Sequence, residues 1–171
     1  MKVQPEKLCS ACVQGKQTKA SFKSQFCFSI TDPFNLLHMD LFGPVPINSR
    51  SGKRYTLVIV DEFSRFTWVI FLRKKNHDAD EIISFIKKNE VLYNCCICQL
   101  RSDHGTEFRN HSLENFCEDQ GISQNFSVVR TRQQNGVAER RNCTVIETGR
   151  TMINVAGLPL SFWAEAVNTT C

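Results

Sequence analysis

The sequence predicts an α/β domain built on a mixed five-stranded sheet flanked by helices. Three observations carry this expectation. Residues 36–72 hold three short runs rich in β-branched and aromatic residues, parted by polar turns. Segments with apolar residues at helical spacing follow. Between those segments lie two further short apolar runs of strand character. At 171 residues the chain has room for one sizeable core. Its 42% hydrophobic and 22% charged residues are the mix of a folded chain rather than a disordered one.

Residues 1–29 are rich in Lys, Gln and Ser, without a sustained apolar period, and read as the end of something begun upstream. Leu36-Leu37-His38-Met39-Asp40-Leu41 is a buried strand stopped by the turn Gly43-Pro44. After the turn at Ser49–Gly52, Tyr55–Asp61 and Phe66–Leu72 complete an antiparallel meander. Asp78–Tyr93 changes period, with Ile82, Phe85, Ile86 and Val91/Leu92 at helical spacing. Cys95–Arg101 reads as a strand ending at Ser102-Asp103-His104-Gly105. Ser112–Gln120 reads as a helix with Gly121 as its C-cap, and Ile122–Val129 as a strand. Arg130–Gly136 is a polar loop, Val137–Ala156 a long helix closed by Gly157-Leu158-Pro159, and Ser161–Thr169 a last helix that the chain end cuts short. This order, β-β-β-α-β-α-β-α and then α, is the layout of a ribonuclease H-like fold.

Composition bounds the function. The N-terminus lacks the apolar core of a secretory signal, and no apolar run approaches the roughly 20 residues of a membrane span. Nine irregularly spaced cysteines without such a signal indicate reduced thiols and a nuclear or cytoplasmic protein, not a secreted one. The net charge of +4 permits a polyanionic partner without requiring one, so the placement of basic residues matters more than their sum.

Two carboxylates occupy suggestive positions. Asp40 lies inside an apolar strand, where an unpaired carboxylate is costly. Asp103 follows a strand beside glycine, a common station for ligands and catalytic groups. Taken alone, each reads more readily as a solvated strand-end Asp. Glu139 opens a helix, where the macrodipole alone accounts for it. Its separation of 35 residues from Asp103 proves nothing without the surrounding text, because 17 acidic residues offer many such pairs.

That text is specific. His38-Met39-Asp40-Leu41-Phe42-Gly43-Pro44, Arg101-Ser102-Asp103-His104-Gly105-Thr106-Glu107-Phe108 and Gln133-Gln134-Asn135-Gly136-Val137-Ala138-Glu139-Arg140 resemble the three catalytic blocks of copia-type retrotransposon integrases, in order. Val60–Arg65 and the segment from Leu158-Pro159 to Val167 resemble that family's flanking text. The resemblance runs from about Cys9 to Cys171. It implies a ribonuclease H-like catalytic core over residues 30–171, cut from a Pol polyprotein. It also implies a triad of Asp40, Asp103 and Glu139, and DNA 3′-end processing and strand transfer on element ends and target DNA. The full integrase of that family self-associates. Three carboxylates make an oxygen-rich site suited to two Mg²⁺ or Mn²⁺ ions rather than zinc. In that reading Asp40 bridges both ions, and Asp103 and Glu139 each hold one side.

Arg130, Arg132, Arg140 and Arg141 surround the loop before the Glu139 helix and are candidates for backbone phosphates, with Gln134 and Asn135 as amides able to touch base edges. A solvated helix face explains Arg141 equally well. Cys9-Ser10-Ala11-Cys12 resembles the second half of the His-His-Cys-Cys module that precedes integrase cores, so residues 1–29 are expected to be its remnant and linker. Zinc needs four ligands, and no histidine precedes Cys9, so no zinc site is expected in this chain. Cys95, Cys96 and Cys98 are expected as buried thiols. The missing first half of the module, an end at Cys171 before a C-terminal DNA-binding region, and Val129 and Arg132 where relatives carry prolines point to a fragment or a decaying element. A catalytically silent remnant with weak nucleic-acid binding is therefore the competing reading. A ribonuclease H acting on RNA–DNA hybrids shares the architecture but not the flanking text.

Overall fold

Strand character in the first half of the chain becomes one mixed sheet. The computed structural model describes residues 30–75, 78–103, 105, 108–126 and 135–171. These form strands β1 (Leu36–Phe42), β2 (Tyr55–Asp61), β3 (Thr67–Leu72), β4 (Gln99–Ser102) and β5 (Ser123–Phe126). The helices are α1 (Asp78–Tyr93), α2 (His111–Gln120), α3 (Gly136–Ala156) and α4 (Trp163–Thr169), with a 3₁₀ turn at Leu160–Phe162. The sheet order is β3-β2-β1-β4-β5. β1, β2 and β3 pair antiparallel, whereas β1–β4 and β4–β5 are parallel. The expected mixed sheet of five strands is thus present. No helix among the described residues is long and apolar enough to cross a membrane.

The period-2 alternation of the strands assigns a helical layer to each face. Leu37 and Met39 of β1, Leu57 and Ile59 of β2 and Leu72 of β3 bury together with Ile82 and Ile86 of α1 and Leu113 and Cys117 of α2. The intervening residues face the other layer, where Val58 and Val60 meet Ala138 of α3. Farther along, Val145 and Ile153 of α3 close over Trp163 and Val167 of α4. α3 packs across β1 and β2, and its position relative to β1 decides the geometry of the site.

Local chemistry sets the boundaries. Asp78, Asp80 and Glu81 crowd the first turn of α1, where negative charge suits the helix macrodipole. Asn110 caps α2 by accepting the backbone N–H of Ser112, and Gly121 ends it in the left-handed conformation at φ 70°. Gly43 ends β1 at φ 135°, where a Cβ would stand 2.7 Å from the Arg54 carbonyl oxygen.

Two expectations change. β4 begins at Gln99 rather than Cys95, because the backbone before it bonds back to α1: Cys95 N–H donates to the Glu90 carbonyl and Ile97 N–H to Glu90 Oε1. With the segment looped out in this way, Cys96 and Cys98 are exposed and Cys95 is half-buried, so the three are not a set of buried thiols. Cys9 and Cys12, and residues 1–29 as a whole, lie outside the described residues.

Candidate active site

Parallel pairing sets the first two carboxylates level. His38 of β1 stands opposite Arg101 of β4. Asp40 and Asp103 each lie two residues farther along, at the carboxyl ends of adjacent parallel strands. Sheet proteins of this kind place ligands beyond the carboxyl ends of their strands. Asp40 is half-buried and lies on the same face of β1 as His38, beneath α3. Asp103 is half-buried one residue past β4, and its Oδ1 accepts the Gly105 backbone N–H at 3.1 Å. His104, Thr106 and Glu107 lie outside the described residues.

The third carboxylate arrives on α3. Glu139 is half-buried in the helix's first turn. One turn later Asn142 donates Nδ2–H to Asp40 Oδ2 at 2.6 Å, a bond between residues 102 positions apart. The Cys143 thiol registers this convergence. It is exposed by area, yet neighbouring atoms crowd it enough to push its pKa up, and the charges of Glu147, Asp40 and Glu139 push the same way. Among the described residues, however, no three His, Cys, Asp or Glu side chains gather closely enough to hold a metal ion. The backbone brings Asp40, Asp103 and Glu139 to one end of the sheet without drawing their oxygens into one cage.

Beside Asp40 lies a buried polar pair. His38 is 1% exposed, and its Nε2 lies 2.7 Å from Glu62 Oε2. The contact is an ion pair whenever the imidazole carries its second proton. Burial pushes the imidazole pKa down to about 4, overriding the opposite pull of Glu62; Arg101 and Arg65 add to the downward push. Asp61, by contrast, accepts the Phe34 N–H, the Ser64 N–H and the Ser64 hydroxyl, a structural use of a buried carboxylate.

The basic candidates separate. Arg140 is exposed and folds back over Gly136, where an added Cβ would meet its guanidinium at 2.8 Å. Arg141 is half-buried and donates Nε–H to Thr67 Oγ1 at 2.8 Å, tying α3 to β3. Asn135 is 1% exposed, and its Nδ2–H donates to the Met39 carbonyl at 3.2 Å. That amide holds α3 on β1 instead of facing outward toward a base. Arg130, Arg132 and Gln134 lie outside the described residues. Asn142 was not anticipated from the sequence. Its signal is a polar residue interrupting the buried stripe Ala138, Val145, Gly149, Ile153 of an amphipathic helix.

Comparison with known proteins places these features in context. Residues 31–131 match the family model described as integrase core domain. The chain is 37% identical over 171 residues to the retrovirus-related Pol polyprotein from transposon TNT 1-94 of Nicotiana tabacum, a match covering 96% of this chain and 12% of that polyprotein. It is 31% identical over 170 residues to the transposon Ty1-NL2 Gag-Pol polyprotein of Saccharomyces cerevisiae, covering 93% of this chain and 9% of that one. The chain therefore spans about a tenth of the length of these relatives. Among solved structures it resembles the HTLV-2 integrase catalytic core domain in complex with magnesium, trimeric form. That likeness has a TM-score of 0.56 at 20% identity and covers 80% of this chain and 82% of that one. It also resembles a chain of the simian T-cell lymphotropic virus intasome in complex with PP2A regulatory subunit B56 gamma, with a TM-score of 0.64 at 15% identity, covering 94% and 56%. At such identities the likeness carries the fold, which is the expected ribonuclease H-like one.

Proposed function

This chain belongs to the integrase core domain family, and from that premise we propose that it is the catalytic core of a copia-type retrotransposon integrase, a polynucleotidyl transferase acting on DNA. The observation that carries the reading is the register of β1 and β4, which sets Asp40 and Asp103 level at one end of the sheet while α3 brings Glu139 over the same end. Strands and helix that converge three carboxylates suit an oxygen-only site for hard divalent cations. The magnesium bound by the HTLV-2 core points the same way.

Asp40, Asp103 and Glu139 would hold two Mg²⁺ or Mn²⁺ ions. When bound, such ions activate an attacking oxygen and neutralise the leaving one in an in-line displacement at phosphorus. The protein's own part is positional. Carboxylates brought to one end of a sheet repel one another, and a bound cation would offset that repulsion. Asp40 is held by the Asn142 amide. Arg140, exposed beside Glu139, is placed to meet a DNA phosphate and contributes salt-sensitive, sequence-independent affinity. In the full integrase, element ends and target DNA are the substrates, water attacks during end trimming, and a DNA 3′-hydroxyl attacks during strand transfer.

Val129 and Arg132, where relatives carry prolines in the loop before α3, favour a second reading, a silent remnant that keeps the fold. A branched DNA that mimics the strand-transfer product separates the two. With Mn²⁺, the purified chain should release the resealed strand, and Asp103→Asn should lower the rate about a thousandfold or more, matching the several kcal/mol that metal ions supply to such transition states. No turnover at any Mn²⁺ concentration would establish the remnant. Cleavage of the RNA in an RNA–DNA hybrid instead would establish a ribonuclease H.

A further inference from the structure

We propose that Asn142 is a positioning residue for Asp40: its side-chain amide fixes the carboxylate on which cation binding depends. The inference rests on the reading of Asp40 as a metal ligand given above, and it adds a residue outside the triad.

Packing does not explain Asn142. The residue is 2% exposed, in the middle of the face of α3 that carries Ala138, Val145, Gly149 and Ile153. A buried amide is costly unless both of its ends are bonded. Here Nδ2–H donates to Asp40 Oδ2 at 2.6 Å, while Oδ1 has no hydrogen-bond partner among the described residues. A leucine of similar volume would remove that orphaned oxygen. What leucine lacks is a directed donor to one oxygen of Asp40. An aspartate side chain turns about two bonds, and anchoring one oxygen sets the plane of the carboxylate.

The same contact couples two members of the triad. Glu139 lies three residues before Asn142 on one face of α3, so the bond to Asp40 also sets how far the helix-borne carboxylate stands from the strand-borne one. A second amide reinforces the arrangement. Asn135, two turns before Asn142, donates to the carbonyl of Met39, the residue next to Asp40. The Met39 carbonyl can only accept, so the Asn135 amide nitrogen must face it, just as the Asn142 nitrogen faces Asp40 Oδ2. Two buried amides, one at the N-cap of α3 and one within it, thus clamp consecutive residues of β1. Partners of this kind orient metal ligands, and their loss typically lowers metal affinity by about 10–100-fold.

Mn²⁺ titration of the full chain, followed by electron paramagnetic resonance, tests the proposal. Wild type should take up Mn²⁺, and Asp40→Asn should abolish uptake. Asn142→Leu should raise the Mn²⁺ dissociation constant about tenfold or more. Its melting temperature should be no lower than that of wild type, because the buried oxygen without a partner is gone. Asn142→Ser keeps a donor of shorter reach and should fall between. Wild-type affinity in Asn142→Leu would overturn the proposal while leaving the metal site standing. So would a loss of affinity that merely tracks a lowered melting temperature. If Asn142→Leu does not fold, Asn142→Ser decides, and wild-type affinity there overturns the proposal. Absence of Mn²⁺ uptake by wild type, or unchanged uptake by Asp40→Asn, refutes the metal-site reading itself and the proposal with it.

Discussion

One strand carries two chemistries. On the face of β1 toward α1 and α2, Leu37 and Met39 are sealed among aliphatic side chains. On the face toward α3, His38 and Asp40 alternate with them and meet Glu62, Arg101 and Asn142. β2 crosses beside both faces, and there the α3 side is still apolar, with Val58 and Val60 against Ala138. The polar groups of this side centre on β1, β4 and the start of α3, joined by Thr56 of β2 and by Glu62 just past it. The first face supplies cohesion, which scales with apolar area removed from water. The second is built at some cost in stability, because buried polar groups without full partners are expensive. A domain that tolerates such a patch in one place implies a use for it there.

If that division is right, substitutions on the two faces should damage different properties. The largest stability effect belongs to the apolar face. Leu37 is fully buried, so Leu37→Ala should cost about 2–5 kcal/mol in denaturant unfolding, with Mn²⁺ affinity of the folded protein retained. Asp103→Asn should do the reverse, leaving stability within about 0.5 kcal/mol of wild type while turnover collapses. A Leu37→Ala protein as stable as wild type would break the comparison.

A pH effect sharpens it. His38 has a folded pKa of about 4, below the ordinary 6.5 of the unfolded chain. The unfolded state therefore takes up the proton first. The contribution from neutral His38 is complete above about pH 6.5, and it declines as pH falls through the folded pKa near 4. The full loss is on the order of 3 kcal/mol. The difference between wild-type and His38→Gln unfolding curves isolates it from the carboxylates that titrate nearby. A difference independent of pH between 7 and about 4 would show that the imidazole is not held neutral by burial.

The smallest effect lies outside both faces. Arg140→Ala should leave melting unchanged, weaken DNA binding uniformly across sequences and reduce the salt dependence by about one phosphate contact. Arg141→Ala should instead lower stability, since its Nε ties α3 to Thr67. Equal salt slopes for wild type and Arg140→Ala would remove that residue from the interface.

What the sequence revealed follows the range of the interactions involved. α1 spans Asp78–Tyr93 as its periodicity indicates, and Gly121 and Gly157 both close their helices in the left-handed conformation, at φ 70° and 60°. Those features are local, set by propensity, capping and spacing within a few residues. The early start expected for β4 failed because Glu90, on the preceding helix, competes for the backbone of Cys95 and Ile97. The level placement of Asp40 and Asp103 needs the parallel register of strands more than fifty residues apart, and only the motif text hinted at it. Asn135 and Asn142 were opaque because their partners lie 96 and 102 positions away, and an asparagine near a helix start looks the same whether it faces water or a buried strand.

The most direct test of the account is anomalous diffraction from crystals of this chain soaked in Mn²⁺. The account requires Mn²⁺ peaks at the carboxyl ends of β1 and β4, bounded by oxygens of Asp40, Asp103 and Glu139. Peaks only elsewhere, or none at saturating metal with the three side chains left apart, would contradict it.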